Sequence, residues 1–309
     1  MRLYLGTDEG LAVFEGQEEN WRPRYVRLQD HKVTAVEAAG ETVLAGTTNG
    51  LWRSPNGGET WSPAITGLGD HHVRAMAIHP FSPRTVLVGT EPAAILYTRD
   101  GGGTWAEAPD VPRLRDAHGW SLPYSSAAGC IRGFSFANQR IYAAAEVGGV
   151  LRSDDAGRKW RLLEGDVQPD VHEVVTHHSD PDIVYAATGG GRYCSTDGGA
   201  IWDLIGDGYT RAIWTDPERP GVVLAAPARY VGAMGRIERS IDGGDSWMLT
   251  SDGFDIPMNS MIERFRAAGP HVFAIVADGN LYTARRGVWM WRLLELGLPA
   301  VHAVALDDV

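Results

Sequence analysis

Apolar and polar residues alternate along this chain in short runs. No run keeps the 3.6-residue spacing of an amphipathic helix. A typical stretch reads VTAVE over 33–37, TVLAGT over 42–47 and GLWRS over 50–54, with a fourth segment starting at Trp61. Gly, Asn, Asp and Pro bound the segments, as they do at the ends of strands in tight antiparallel sheets. The pattern predicts four short antiparallel strands, repeated, with few helices. The second strand of each unit is the easiest to follow. It appears as RLYLGT (2–7), TVLAGT (42–47), TVLVGT (85–90), IYAAAE (141–146), IVYAAT (183–188), VVLAAP (222–227) and VFAIV (272–276).

Tryptophans mark the same period. Trp21, Trp61, Trp105, Trp160, Trp202, Trp247 and Trp291 are separated, by subtraction, by 40, 44, 55, 42, 45 and 44 residues. Most of them close one phrase: SPNGGETW (54–61), TRDGGGTW (98–105), SDDAGRKW (153–160), STDGGAIW (195–202) and SIDGGDSW (240–247). Four-stranded units at this period describe the blades of an all-β propeller, here seven-bladed. The chain opens on a second strand, and the missing first strand is at the other end, where VHAVAL (301–306) matches VRAMAI (73–78). We therefore expect a single domain over 1–309, with blade one shared between 1–30 and 299–309. The C-terminal strand would pair with the N-terminal three and remove two open sheet edges.

The Ser/Thr-x-Asp-x-Gly-x-x-Trp phrase resembles the Asp-box, or BNR, repeat of the sialidase-like propellers, and the resemblance spans essentially the whole chain. Asn56 replaces the Asp in one copy, and the copies ending at Trp21 and Trp291 are degenerate. The resemblance implies that the boxes join third and fourth strands on the rim opposite the binding face. Asp100, Asp155, Asp197 and Asp242 then read as acceptors for backbone N–H groups of a repeated turn, not as catalytic groups or calcium ligands. It also implies a substrate carboxylate held by three arginines and a tyrosine nucleophile with a glutamate partner. The family's Arg-Ile-Pro signature near the N-terminus is absent. Tyr209 and Tyr230 are the candidate tyrosines.

Charge and composition narrow the partners. With Lys+Arg 28 against Asp+Glu 39 the formal charge is -11, which disfavours binding to nucleic acid or an anionic membrane. Cys130 and Cys194 are the only cysteines and have no metal-ligand spacing. The first residues lack the apolar run of a signal peptide, so the expected location is cytoplasmic.

Aligning the first strands places one column near each entrance: His302, Thr34, Arg74, Arg132, His172, Arg211 and Glu263. Polar residues recur there where a buried strand would not want them. If they reach the axis they form a ring in which three guanidiniums suit a carboxylate, sulfate or phosphate. Those arginines could equally pair with Glu263 or with loop carboxylates. Two loops break the repeat. The insertion over 113–124 carries Arg113, Arg115, Asp116, His118, Trp120 and Tyr124, and the long turn over 227–235 carries Tyr230.

The expected function is that of an intracellular, sialidase-like propeller enzyme. It would be a glycosidase-like hydrolase, or a lyase, acting on a small anionic, sugar-derived substrate in an Arg-lined axial pocket. Arg74, Arg132 and Arg211 would hold the anion, with His302, Thr34, Trp120, Tyr209 and Tyr230 completing the binding set. Glu263, Asp116 or His172 would act as general acid or base. Two alternatives stand beside this: a noncatalytic propeller binding a protein or ligand, and a metal held on the axis by histidines such as His172, His302 and His72. The arginines of the same ring would repel a cation, so no cofactor is expected.

Overall fold

The computed structural model describes residues 1–17, 20–64 and 71–307; residues 308 and 309, the end of the expected domain, lie outside the described residues. Seven antiparallel blades form a ring. Blade one orders Val301–Asp307, Arg2–Thr7, Gly10–Gln17 and Asn20–Arg27 from the axis outward. Leu3 faces Leu306 and Leu5 faces Val304, so the chain ends are joined by a full strand pairing. The first strands of the other blades are Val33–Ala39, His72–His79, Cys130–Ala137, Val171–Thr176, Tyr209–Thr215 and Ile262–Ala268.

The core lies between blades, because each sheet is covered on both faces by its neighbours. Tyr4, Leu11 and Val13 of blade one pack with Val33, Val43 and Ala45 of blade two in one such layer. The second strands are therefore apolar on both sides, which explains their unbroken hydrophobic runs. Blades approach so closely that the glycines of the repeated Gly-Thr at the second-strand ends have no room for a side chain. A Cβ on Gly46 would stand 2.3 Å from Val73, and one on Gly89 would stand 2.6 Å from Ile131.

The recurring turns tie the outer ring. Asp197 Oδ1 accepts from the N–H groups of Ala200 (2.9 Å) and Ile201 (3.0 Å) and from the Ser195 hydroxyl (2.8 Å). Trp202 Nε1 donates to the Gly199 carbonyl (3.1 Å). Hydrogen bonds from Ile201, Ser195 and Ala200 hold the Asp197 carboxyl below the usual range. A tyrosine of the preceding blade then donates into the turn: Tyr142 to Gly198 O and Tyr185 to Gly243 O, both at 3.1 Å. The indole N–H groups of Trp61, Trp160, Trp202, Trp247 and Trp291 donate to carbonyls, whereas those of Trp21 and Trp105 are buried without an acceptor.

The insertion after Trp105 is not the extended loop its irregular pattern suggests. Asp110–His118 is an α-helix, entered through Pro109 and stopped by Gly119 in the left-handed region at φ 62. Pro112 in the first turn costs no hydrogen bond, and Asp110 there complements the helix dipole. The helix is held by Val111 and Trp120, both buried in the layer between blades three and four. No helix among the described residues is long and apolar enough to cross a membrane.

Candidate functional site

Every first strand carries a β-bulge at the same height, and the residue left out of the ladder is the polar one of the sequence column. His302 is skipped between Val301 and Ala303, Thr34 between Val33 and Ala35, and Arg74 between Val73 and Ala75. Arg132, His172 and Glu263 are skipped in the same way, and Arg211 with Ala212 in blade six. A bulge turns one side chain out of the alternation while the strand continues. Seven bulges at one height aim seven polar side chains at the mouth of the ring without breaking the apolar packing on either side.

These side chains do not form an even ring. Glu263 of blade seven reaches across to blade four, where Oε2 accepts from Arg132 Nη2 at 3.3 Å, while Oε1 accepts from Arg211 Nη1 of the adjacent blade six. Burial would raise the Glu263 pKa, but the two guanidiniums outweigh it and hold the carboxyl below its ordinary range. This bar divides the mouth. On blades four to six the space is filled: Arg132 also donates to Glu146 Oε2 at 3.1 Å, together with the Tyr124 hydroxyl (2.7 Å) and the Cys130 thiol (3.1 Å). Burial, ahead of the Glu146 charge, pushes the Cys130 thiol up to about 12, so it stays protonated. His172 is buried against the Thr210 carbonyl, and the Tyr209 hydroxyl lies 3.2 Å from its Nε2 and accepts from Arg211 Nε.

The other half is open. A cavity of about 510 Å³ is lined by Lys32, Thr34, His72, Arg74, Arg132, Glu263, Arg264 and His302, with Ile275, Val276 and Val301 as an apolar wall. Arg74 pairs with Glu91 at 3.3 Å. Asp8 takes Lys32 Nζ at 2.7 Å and His302 Nε2 at 2.8 Å. Burial and the neighbouring Arg74 hold His72 down to about 4, so it is a neutral base at physiological pH. Below the mouth the channel is plugged by blade seven. Arg264 Nη2 donates to the Arg132 carbonyl at 2.6 Å, and Arg266 reaches Glu173 at 3.4 Å. Small neighbours such as Ala35 and Ala303 leave the room these long side chains fill.

Arg74, Arg132, His302, Thr34 and Glu263 thus share the cavity, whereas Arg211, Tyr209 and His172 stand behind the bar. Asp116 is a solvent-facing helix residue paired with its neighbour Arg115 at 2.8 Å and does not meet Glu263 at the cavity. Trp120, at 6% exposure, is a packing residue under the insertion. Tyr230, at 57%, stands on the hairpin between Val223–Tyr230 and Ala233–Gly235, away from the cavity lining. The histidines do not converge on the axis: His302 belongs to Asp8, His72 faces Glu91, and His172 is buried in the filled half.

Sequence reasoning missed the carboxylates that neutralise the arginines. They stand in a second column, the residue that follows the partner of the first-strand residue just before each bulge: Asp8, Thr48, Glu91, Glu146, Gly189, Ala228 and Ala277. Aligning second-strand exits as well as first-strand entrances would have found Glu91 and Glu146.

No protein-family model matches the chain, and no curated protein matches it. Solved structures do. A GH74 xyloglucanase from Xanthomonas campestris is 21% identical at TM-score 0.70, over 98% of this chain and 52% of that one. An ancestral GH74 enzyme is 19% identical at TM-score 0.63, over 91% and 37%. YCF48 from Cyanidioschyzon merolae is 18% identical at TM-score 0.64, over 91% and 90%. YCF48 bound to D1 peptide is 17% identical at TM-score 0.58, over 86% and 83%. The chain spans about half or less of the two GH74 structures' length. At these identities the likeness is one of architecture: the protein is a seven-bladed β-propeller whose relatives in shape include both glycoside hydrolases and the peptide-bound YCF48.

Proposed function

We propose that the open half of the axial mouth binds a small anionic, sugar-derived substrate, and that the protein is a sialidase-like hydrolase or lyase in the broad sense. One observation carries the reading: the cavity wall presents Lys32, Arg74, Arg132 and Arg264 against a single carboxylate, Glu263. A guanidinium already paired on one side still offers a second N–H edge, so Arg74 can hold an oxyanion while bound to Glu91, whereas Arg132, with Nη1 on Glu146 and Nη2 on Glu263, contributes its charge. In this reading Lys32 and Arg74 bind the anion, with the charges of Arg132 and Arg264 behind them. Glu263, kept ionised, takes a proton or faces developing positive charge. His302, oriented by Asp8, carries a proton the other way. A two-carboxylate glycosidase mechanism has less support, because Asp116 does not meet Glu263 and no second free carboxylate lines the cavity among the described residues.

The test is thermal stabilisation by sialic acid, glucuronate, sulfate and phosphate, compared in wild type and Arg74→Ala. Stabilisation by at least one anion that disappears in the variant supports the reading; indifference to all four ends it. A second reading, a noncatalytic propeller that binds a protein segment, draws on the exposed Tyr124, Tyr230 and Val231 carried by the two irregular loops. The peptide bound by YCF48, a protein of the same architecture, makes it concrete.

A further inference from the structure

The filled half of the mouth contains an arrangement that the anion reading does not use. Glu146, Asp170 and His172 each turn one donor atom toward a common point, and the three atoms lie within 4.8 Å of one another. His172 Nδ1 is 2.8 Å from the Thr210 carbonyl, which can only accept, so a neutral ring carries its proton there. Nε2 then presents a lone pair that faces the Tyr209 hydroxyl at 3.2 Å and Asp170 Oδ1, a second acceptor, at 3.1 Å; an ion there would take the place of the Tyr209 hydrogen bond. Two acceptors this close repel unless a metal ion or a second ring proton lies between them. Asp170 has no guanidinium partner among the described residues: Arg132 and Arg211 pair with Glu146 and Glu263, and Arg74 is taken up by Glu91.

We propose that His172, Asp170 and Glu146 form a binding site for one first-row divalent cation, zinc or manganese. The donor set of one imidazole and two carboxylates suits these borderline ions. Metal–ligand bonds of about 2.0–2.1 Å place neighbouring tetrahedral donors about 3.3 Å apart, close to the His172–Asp170 spacing. The three hydrogen bonds to Glu146 all fall on Oε2, which leaves Oε1 for the ion. The Thr210 carbonyl fixes the imidazole, and Tyr124 and Arg132 orient the carboxylate, as outer contacts do around protein-bound metals. The site lies behind Arg132, off the axis, and involves neither His302 nor His72.

The full-length protein, stripped with a chelator, is titrated with Co²⁺ while the visible ligand-field bands are recorded; Zn²⁺ is then added to displace it. The expected result is one saturable equivalent per chain, displaced by Zn²⁺ and lost in Asp170→Asn and His172→Gln. Tyr124→Phe weakens it about tenfold, and His178→Gln, at an exposed surface position, leaves it intact. Far-UV circular dichroism checks each variant. If His172→Gln does not fold, Asp170→Asn, at a half-exposed position, carries the test alone. The proposal is overturned if the folded wild type binds neither Co²⁺ nor Zn²⁺ saturably, if binding survives Asp170→Asn, or if His178→Gln abolishes it. The first outcome would mean that a proton holds Asp170 to His172.

Discussion

Glu263 on blade seven and Arg132 on blade four meet across the ring, Oε2 to Nη2 at 3.3 Å, although 131 residues separate them in the chain. With Arg211 on the other oxygen, Glu263 occupies two of the three guanidiniums that the sequence column offered to a ligand. The protein therefore supplies its own carboxylate to the place where a substrate carboxylate was expected. Glu263→Gln should have two effects. Two partly buried cations lose their shared counter-ion, which costs about 3 kcal/mol of stability. The same two cations become free to bind anions, so sulfate should bind about tenfold more tightly and restore much of the melting temperature. Melting curves with and without sulfate check both. An unchanged sulfate response in the variant would show that Arg132 and Arg211 are closed to ligands whatever stands at 263.

The repeated turns make the opposite prediction. Ser195 is buried, accepts the Gly199 N–H at 2.8 Å and donates to Asp197. Ser195→Ala should cost about 1–2 kcal/mol, the usual consequence of leaving a buried donor unpaired. Asp197→Ala should lower the melting temperature as well. Neither should alter anion binding, because the turn joins a third to a fourth strand at the far rim. Isothermal titration with whichever anion stabilises the wild type measures this, and a loss of affinity in either variant at unchanged melting temperature would contradict it.

Trp120 and Asp116 separate packing from chemistry within the insertion. Trp120→Ala removes a ring buried with Val111, Ala93 and Ile131 and should cost about 3–5 kcal/mol. Asp116→Asn should leave stability and ligand binding unchanged, since among the described residues its charged contact is the neighbouring Arg115 and its own carboxylate faces solvent. Denaturant titration of the two variants is sufficient. A large effect of Asp116→Asn on turnover of any substrate would restore it as a catalytic group.

How much was legible follows from what repeats. Seven copies of one strand pattern determine seven blades, and the match between 301–306 and 73–78 revealed the joined blade, because strand alternation and turn chemistry are local properties. The polar column was legible for the same reason: one polar residue inside an apolar strand seven times over marks the bulge that turns it outward. Of the partners of that column only Glu263 was named from the sequence, but not which arginines it would take. Arg74–Glu91 and Arg132–Glu146 join adjacent strands and needed a second alignment. Arg132–Glu263 and Arg264 to the Arg132 carbonyl cross the axis, and nothing in local sequence says how far a long side chain reaches. Asp116 and Trp120 failed as candidates because an insertion has no repeat to predict its conformation, and the helix turned one outward and the other into the core.

The plug beneath the mouth should make stability fall as pH rises. Glu37 lies in the narrow channel with Arg264 and Arg266, and burial, only partly offset by those two charges, pushes its carboxyl from 4.5 up to about 7. A carboxyl with a raised folded-state pKa is protonated in both states below about 4.5, where it costs nothing. Above about 7 it is ionised in both states, and the folded protein bears the whole penalty. Stability from this group is thus lost progressively between those values. Glu37 is partly exposed, and solvent screens its charge, so the expected loss is about 1–2 kcal/mol, less than the full shift implies. Glu37→Gln removes the ionisation, and the variant should be more stable than wild type at about pH 8 and equal to it at about pH 4.5. Denaturant midpoints at the two pH values decide the matter. A variant less stable than wild type at the higher pH would mean that Glu37 is needed as a counter-charge to Arg264 and Arg266, and that the plug is held by ion pairing instead of by a neutral carboxyl.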